Sequence, residues 1–376
     1  MIRRSSLLVA IAVAFAAAAA GCTSGVVPVE QCIAPGDGRL TVQHLHAIGR
    51  DYPAGVPPLG RIHGLTVGDD GTVFVLGTSR LFAFDANGGY LWHIREGHAP
   101  GEVNRARGVV AVGNQIFLSN NGGRRLDRLS YDGQFEVSVP VDQLGFDRLS
   151  LRGVVRDSLL VASAQTHTSH VATVILLSAK TLSTTGAFVV SRSPLATLPA
   201  SIVVIPPVST FGDDIVVGHS DRYLFSVHSL VGDTLDVIQR DIPEYAPIGT
   251  AVVGGNPSAR VFSGLGRPIA IAGGYRLVDG YWPNRVIDPD AVVRAAILGR
   301  GEEVETRRAV DVYDSNWCLV ASMYDPNFDG FAAQSLEWGY GDGRVLVSVL
   351  DEESVLREFR IEIVPNRVVS QFPDTP

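Results

Sequence analysis

Leu81-Phe82-Ala83-Phe84-Asp85-Ala86-Asn87-Gly88 lies over Leu126-Asp127-Arg128-Leu129-Ser130-Tyr131-Asp132-Gly133 at one offset of about 45 residues. Leu81 falls on Leu126, Phe84 on Leu129, Gly88 on Gly133 and Tyr90 on Phe135. Upstream, Gly64 matches Gly108 and Phe74 matches Phe117 once a one-residue gap is allowed. One unit is therefore written twice between Arg61 and Val139. Each copy holds short apolar runs separated by turn residues, and neither has a helical period. A repeat of this length built from short strands is the size of one propeller blade.

The turn residues extend the count. Asp69-Asp70-Gly71 separates Leu65-Thr66-Val67 from Thr72-Val73-Phe74-Val75-Leu76, and Asn87-Gly88 closes a second hairpin with a dipeptide that tolerates positive φ. Blade two repeats this with Gly113-Asn114 and Asp132-Gly133. Further first-hairpin turns are Arg156-Asp157-Ser158, Gly212-Asp213-Asp214, Gly273-Gly274 and Gly341-Asp342-Gly343, which makes six in all. Spacing lengthens towards the C-terminus, so the later blades carry insertions. The segment Val312 to Phe331 reads as one of these. Asp290 to Leu298 could be a helix by composition, but Val292-Val293 and the turn after it favour a blade-five strand.

Six small antiparallel sheets cannot each bury an apolar face alone. Arranged radially, each packs on its neighbour and only short edges remain. The expected fold is all-β, a six-bladed propeller over residues 39–376. Leu40 to Ile48, which alternates apolar and polar residues ahead of blade one, is the natural fourth strand of blade six and closes the ring.

The N-terminus reads as a targeting segment. Arg3 and Arg4 precede an apolar run from Leu7 to Ala20, too short for a permanent span. Ala19-Ala20-Gly21-Cys22 then resembles the lipobox of bacterial lipoproteins. The resemblance implies cleavage after residue 21, acylation of Cys22, and a tether over residues 22–38. The expected location is the bacterial cell envelope, facing the periplasm or outer surface, with the membrane touched only through the lipid. An ordinary secretory signal cut nearby is the alternative. The full chain of 376 residues has a net charge of −8, and loss of Arg3 and Arg4 makes the mature body more acidic. That argues against nucleic acid as a partner, since phosphate binding needs basic density. If Cys22 carries lipid, Cys32 and Cys318 are left to pair in an oxidising compartment, or to stand as two thiols.

The D-x-D-G and N-G turns, together with Glu96-Gly97-His98-Ala99-Pro100-Gly101-Glu102-Val103 between blades one and two, resemble the six-bladed NHL-like (TolB-like) propellers. In bacterial lipoproteins of that group the corresponding segment commonly runs G-x-G-P-G-E-F; here Ala99 replaces a glycine and Val103 the phenylalanine. The resemblance implies the fold and leaves function open, because propellers host binding modules, lyases, lactonases and scaffolds alike.

Candidate chemistry is sparse. The Gly97–Glu102 connection should lie near the channel mouth and offer His98, Glu102, Arg105 and Arg107 to a ligand, unless Glu102 instead caps backbone amides of its own loop. Asp325-x-Asn327-x-Asp329-Gly330 matches half of a calcium loop, but Pro326 interrupts it and Leu336 stands where an acid is expected. An Asx-rich turn explains it equally, so calcium is the single cofactor to weigh. Trp92, Trp282, Trp317 and Trp338 suit wedges between blades. No nucleophile or phosphate-loop motif occurs. The expectation is a monomeric binding or scaffold module for a small-molecule, glycan or protein ligand. The alternative is an NHL-like lyase or lactone hydrolase with its site at the channel mouth.

Overall fold

The computed structural model describes residues 39–49, 52–77, 79–166, 169–192, 207–219, 222–246, 248–253, 256–261, 263–301, 303–324, 327–328, 331–340, 342–349 and 356–364. Six antiparallel sheets follow one another along the chain as the blades of a propeller. Blade one is Gly64–Val67, Val73–Leu76, Leu81–Phe84 and Tyr90–Ile94. Blade two is Val109–Val112, Gln115–Asn120, Arg125–Ser130 and Phe135–Pro140. Blade three is Arg148–Val155, Leu159–Thr166, Ser169–Ser178 and Thr184–Arg192. Blade four is Val208–Phe211, Asp214–Gly218, Leu224–His228 and Thr234–Gln239. The repeat glycines do what their position demands: Gly88 and Gly133 have φ of 84° and 81° at the matching hairpin corners.

Blade six closes the ring as expected. Arg39–Ile48 pairs antiparallel with Leu356–Val364, from Arg39 opposite Val364 to Ile48 opposite Leu356. The sheet continues through Arg344–Val349 to Phe331–Gly339, with Asn327–Phe328 at its edge. First and last strands of the body are thus neighbours in one sheet.

Blade five departs from the expectation. Its innermost strand is split into Gly264–Leu265 and Ile269–Ala270, both paired with Arg276–Pro283. Its third and outer strands are Thr306–Tyr313 and Leu319–Tyr324, so Val312 to Phe331 is not an insertion. The inserted material lies elsewhere: a hairpin of Ile248–Val253 with Asn256–Val261, and a helix, Pro289–Ile297. The expected strand over Asp290 to Leu298 is therefore a helix. Asp288 decides it, accepting hydrogen bonds at 3.1 Å from the amides of Asp290 and Ala291 as an N-cap, with Pro289 in the first turn. Buried Val293 packs against Ala246 and Val304, which offsets the weak helix preference of the two valines.

Each of the six interblade contacts holds its own apolar cluster. Phe74 and Leu81 meet Val109 and Leu118 between blades one and two, and Val216 and Phe225 meet Val278 and Trp282 between four and five. Phe82 and Phe84 meet Leu346 and Leu356 where blade six returns to blade one. Trp282 and Trp317 are buried wedges between blades four and five, and Trp92 and Trp338 pack on the clusters beside them. Burying a large apolar side chain stabilises by about 1.5–3 kcal/mol, so the blades hold one another rather than themselves.

Three blades bury a carboxylate in the third strand. Asp127, Asp311 and Glu358 are each about 1% exposed or less. Arg125 pairs with Asp127 at 2.9 Å and Arg344 with Glu358 at 2.9 Å, while Arg240 pairs with Asp311. The outer strand adds a polar partner in each case: Ser138, Ser322 and His46. Within these blades every buried acid has its own arginine.

Candidate functional site

The innermost strands of blades one to four, and those of blades five, six and one, adjoin around a central channel. Three cavities succeed one another along it. The upper one, about 940 Å³, lies where the inner strands of blades one to three begin and is walled by segments around His63, His98, Arg105, Arg107, Arg124 and Arg148. A middle cavity of about 420 Å³ reaches blades four to six. A lower one of about 220 Å³ lies among the later residues of the inner strands. Arg152 lines all three, and Arg267 the lower two.

The Gly97–Glu102 connection stands at the mouth, as its position between blades requires. Glu96 bridges Val103, and Gly97 donates to the Val103 carbonyl at 3.0 Å. Gly97 lies tight under the Glu102 side chain: a Cβ there would fall 1.9 Å from Glu102 Oε2, so a larger residue would displace that carboxylate. Glu102 does not line the cavity. Its carboxylate accepts from the Ala99 amide at 3.0 Å and pairs with Arg95 at 2.8 Å. The Ala99 N–H first, then Arg95, hold that carboxyl below its usual range. His98, Arg105 and Arg107 do line the upper cavity. His98 Nδ1 is 2.9 Å from the Asn104 side-chain amide. Arg105 is exposed and has φ of 46°, an uncommon left-handed backbone for an arginine.

A polar network inside blade two holds this connection in place. Buried Asn120 accepts from the Asn104 amide at 2.8 Å and donates to the Glu102 carbonyl at 2.8 Å. Arg125 donates to the carbonyls of His98 at 3.2 Å and Glu102 at 3.3 Å while pairing with Asp127. Ser150 of blade three donates to the Arg107 carbonyl at 2.7 Å. Gly108 and Gly123 let blade two press on blade three, since a Cβ on either would lie 2.3–2.4 Å from the carbonyls of Leu151 and Leu149.

Two arginines that the motifs do not mark occupy the depth of the channel, and both sit at irregularities in inner strands. The pairing of Arg148–Val155 with its neighbour shifts register between Leu151 and Gly153, so Arg152 is the bulged residue. Arg267 sits in Gly266-Arg267-Pro268, the interruption between the two halves of blade five's inner strand. Bulges of this kind re-aim a side chain. A charge beside glycine within Leu149-Ser150-Leu151-Arg152-Gly153-Val154-Val155, and a proline within an inner strand, are the sequence signals that point to them.

The lining is strongly cationic. Arg105, Arg107, Arg124, Arg148 and Arg152 line the upper cavity, and Glu96 is the one carboxylate among its described residues. Arg152 is surrounded by protein and keeps only the surface that faces the channel. Burial, then Arg267 and Arg107, push its pKa down to about 10. Burial and Arg148 lower Arg107. Arg267 is lowered by burial too, with Glu337 and Asp279 opposing. Chemically the arrangement can hold oxyanions in guanidinium forks.

Of the remaining expected positions, Asn327 begins a short edge strand opposite Ala332, while Asp325 and Asp329 lie outside the described residues. Among the described residues no group of three or more His, Cys, Asp or Glu is placed to hold a metal ion. Cys318 is disulfide-bonded. Cys22 and Cys32 lie outside the described residues, as does the rest of 1–38. Among the described residues no helix is long and apolar enough to cross a membrane.

No protein-family model and no curated protein sequence matches the chain. Among solved structures it is similar to a member of the DUF4221 family from Bacteroides vulgatus, with 9% identity and a TM-score of 0.54 over 88% of this chain and 99% of the other. It is also similar to a Bacteroides fragilis protein described as exported, with 11% identity and a TM-score of 0.52 over 89% of this chain and 97% of the other. At such identities the likeness shows the propeller fold.

Proposed function

We propose that this chain is a binding module of the bacterial cell envelope, anchored by lipid on Cys22, tethered by residues 22–38, and carrying its ligand site at the mouth of the propeller channel. The N-terminal reading supports the anchor: a charged start, a short apolar run and Gly21-Cys22. The resemblance of the turns and of the Gly97–Glu102 connection to NHL-like propellers supports the placement of the site. The observation that carries the reading is the upper cavity. At about 940 Å³ it has the size of a small-molecule site, and its walls come from three blades and a connection pinned by Asn120 and Arg125. A preformed recess whose wall is held by hydrogen bonds is what a binding module needs.

Two measurements test this. Cell fractionation should find the full chain in the membrane fraction, and Cys22→Ala in the soluble fraction or as uncleaved precursor. Native mass spectrometry of the detergent-solubilised protein from its own envelope should show a small-molecule adduct. That adduct should disappear in His63→Trp, which places a bulky ring in the mouth from an exposed position. A variant still cleaved and acylated without Cys22 would overturn the anchor. An adduct indifferent to His63→Trp would overturn the channel site.

A further inference from the structure

We propose that the channel is an oxyanion site that takes a small molecule carrying two or more carboxylate or phosphate groups, gripped by Arg107 and Arg148 at the mouth and by Arg152 below them, and drawn towards Arg267. This rests on the channel mouth being the ligand site and names the chemistry of what enters it.

In blades two, five and six, partly buried arginines are each paired with a buried acid: Arg125 with Asp127, Arg240 with Asp311, Arg344 with Glu358. In the upper channel that pattern stops. Among the described residues no ion pair joins Arg107, Arg148 or Arg152 to a carboxylate. Arg152 donates its Nε to Ser163 Oγ at 3.3 Å, which leaves the two outer nitrogens of the guanidinium for the cavity. Like charges in a confined, partly desolvated space repel, and each lowers its neighbour's hold on its proton. The fold keeps this arrangement in a chain whose net charge is −8. It also departs from regular strand pairing twice, at Arg152 and at Arg267, in a way that points both side chains into the same channel.

A ligand that supplies the missing negative charge removes the repulsion and fills the forks together. Carboxylate and phosphate both match the planar, two-pronged guanidinium. One negative charge would leave the group of three arginines under-neutralised, with only Glu96 beside it, so two or more fit better. Deeper in, Glu337 and Asp279 partly balance Arg267, which makes the mouth the strongest point of the gradient.

Isothermal titration calorimetry on the full-length, detergent-solubilised protein tests this, with citrate and inorganic pyrophosphate as probes and acetate and sucrose as controls. The expected result is one-site binding of citrate, of pyrophosphate or of both, weaker at higher salt, with acetate and sucrose inert. Citrate alone marks a polycarboxylate ligand and pyrophosphate alone a phosphorylated one. Arg152→Gln should weaken binding about tenfold or more, the loss of one charged hydrogen-bonding group. Arg148→Gln at the rim is the second variant should Arg152→Gln fail to fold, as judged by its thermal melt. Arg156→Gln, which removes a surface pair with Asp213 away from the channel, should leave affinity unchanged. Binding of neither probe, or affinity indifferent to Arg152→Gln and Arg148→Gln in folded protein, overturns the proposal. A neutral adduct from the envelope that His63→Trp expels would overturn the anionic ligand while keeping the channel site. No adduct and no probe binding would overturn both.

Discussion

The side-chain amide of Asn120 donates a 2.7 Å hydrogen bond to the carboxylate of Asp127, and both residues are almost fully buried. The repeat shows why this matters: Asp127 takes the place that buried Phe82 holds in blade one. Exchanging a ring for a charge is tolerable only because Asn120, Arg125 and Ser138 converge on it at 2.6–3.0 Å. Two of those partners also reach the loop at the channel mouth, so a core anion fixes the geometry of the site.

Asp127→Ala should therefore cost stability and loosen the mouth together. Removing one member of a buried, hydrogen-bonded ion pair leaves the others desolvated without a partner, a cost of about 3–5 kcal/mol. Urea denaturation measures it. Hydrogen exchange should also rise at the amides of Val103 and Asn104, which are held at 3.1 Å by Arg95 and 2.8 Å by Asn120. Unchanged protection there would separate the network from the site.

Gly64 and Gly108 match in the repeat but meet different surroundings. A Cβ on Gly108 would lie 2.3 Å from the Leu151 carbonyl oxygen, whereas one on Gly64 would sit 4.0 Å from a Val109 methyl. Gly108→Ala must push blade two off blade three, and the expected loss is about 1–3 kcal/mol or more. Gly64→Ala should stay within about 1 kcal/mol of the parent and can stabilise it by restricting the unfolded chain. Equal thermal shifts for the two variants would refute the close approach.

Blades one and two are legible because their strands are short, apolar and punctuated by Asp, Asn and Gly. The closing strand is legible because Leu40 to Ile48 alternates and has no other sheet to join. Blade five is not, for identifiable reasons. Its third strand contains Arg307, Arg308 and Asp311, so hydropathy hides it, although Asp311 is fully buried against Arg240. Its helix carries Val292-Val293, which read as strand until the cap by Asp288 is weighed. At the site, Arg105 and Arg107 follow from their place beside the blade junction. Arg152 and Arg267 do not, because their convergence depends on two bulges in strands more than 100 residues apart in the chain. A spacing motif cannot express that.

His228 gives the body a dependence on acid. It is buried, 2.7 Å from Ser226 Oγ through Nε2 and against the Phe188 ring. Burial lowers its pKa from the ordinary 6.5, and the Gly232 backbone offsets this only in part. The folded state therefore takes up a proton less readily than the unfolded chain. Stability is complete above pH 6.5 and falls as pH drops from there towards the lower folded value. Urea midpoints at pH 7.5 and 5.5 should differ more for the parent than for His228→Gln. A variant with the same or a steeper acid loss would remove His228 from the explanation.

Cys318 closes a tight turn ahead of blade five's outer strand. Asp314 holds that turn, accepting from the Asn316 and Cys318 amides at 2.9 and 2.8 Å, with Trp317 at φ of 61°. Val320 of the outer strand and Leu40 of the closing strand pack on one cluster between blades five and six. Cys32 precedes Arg39, the first residue of the closing strand, by seven residues. Cys318 is disulfide-bonded, and if Cys22 carries lipid its expected partner is Cys32. Such a bond would tie the tether to the body and close a loop around nearly the whole propeller. In the chain-entropy picture that is worth about 5 kcal/mol at most. Peptide mapping without reduction should recover Cys32 linked to Cys318 from exported protein, and Cys32→Ser should lower the melting temperature and leave Cys318 open to alkylation. Recovery of Cys318 linked to Cys22 would break both assignments at once, because a cysteine in a disulfide cannot carry a thioether-linked lipid.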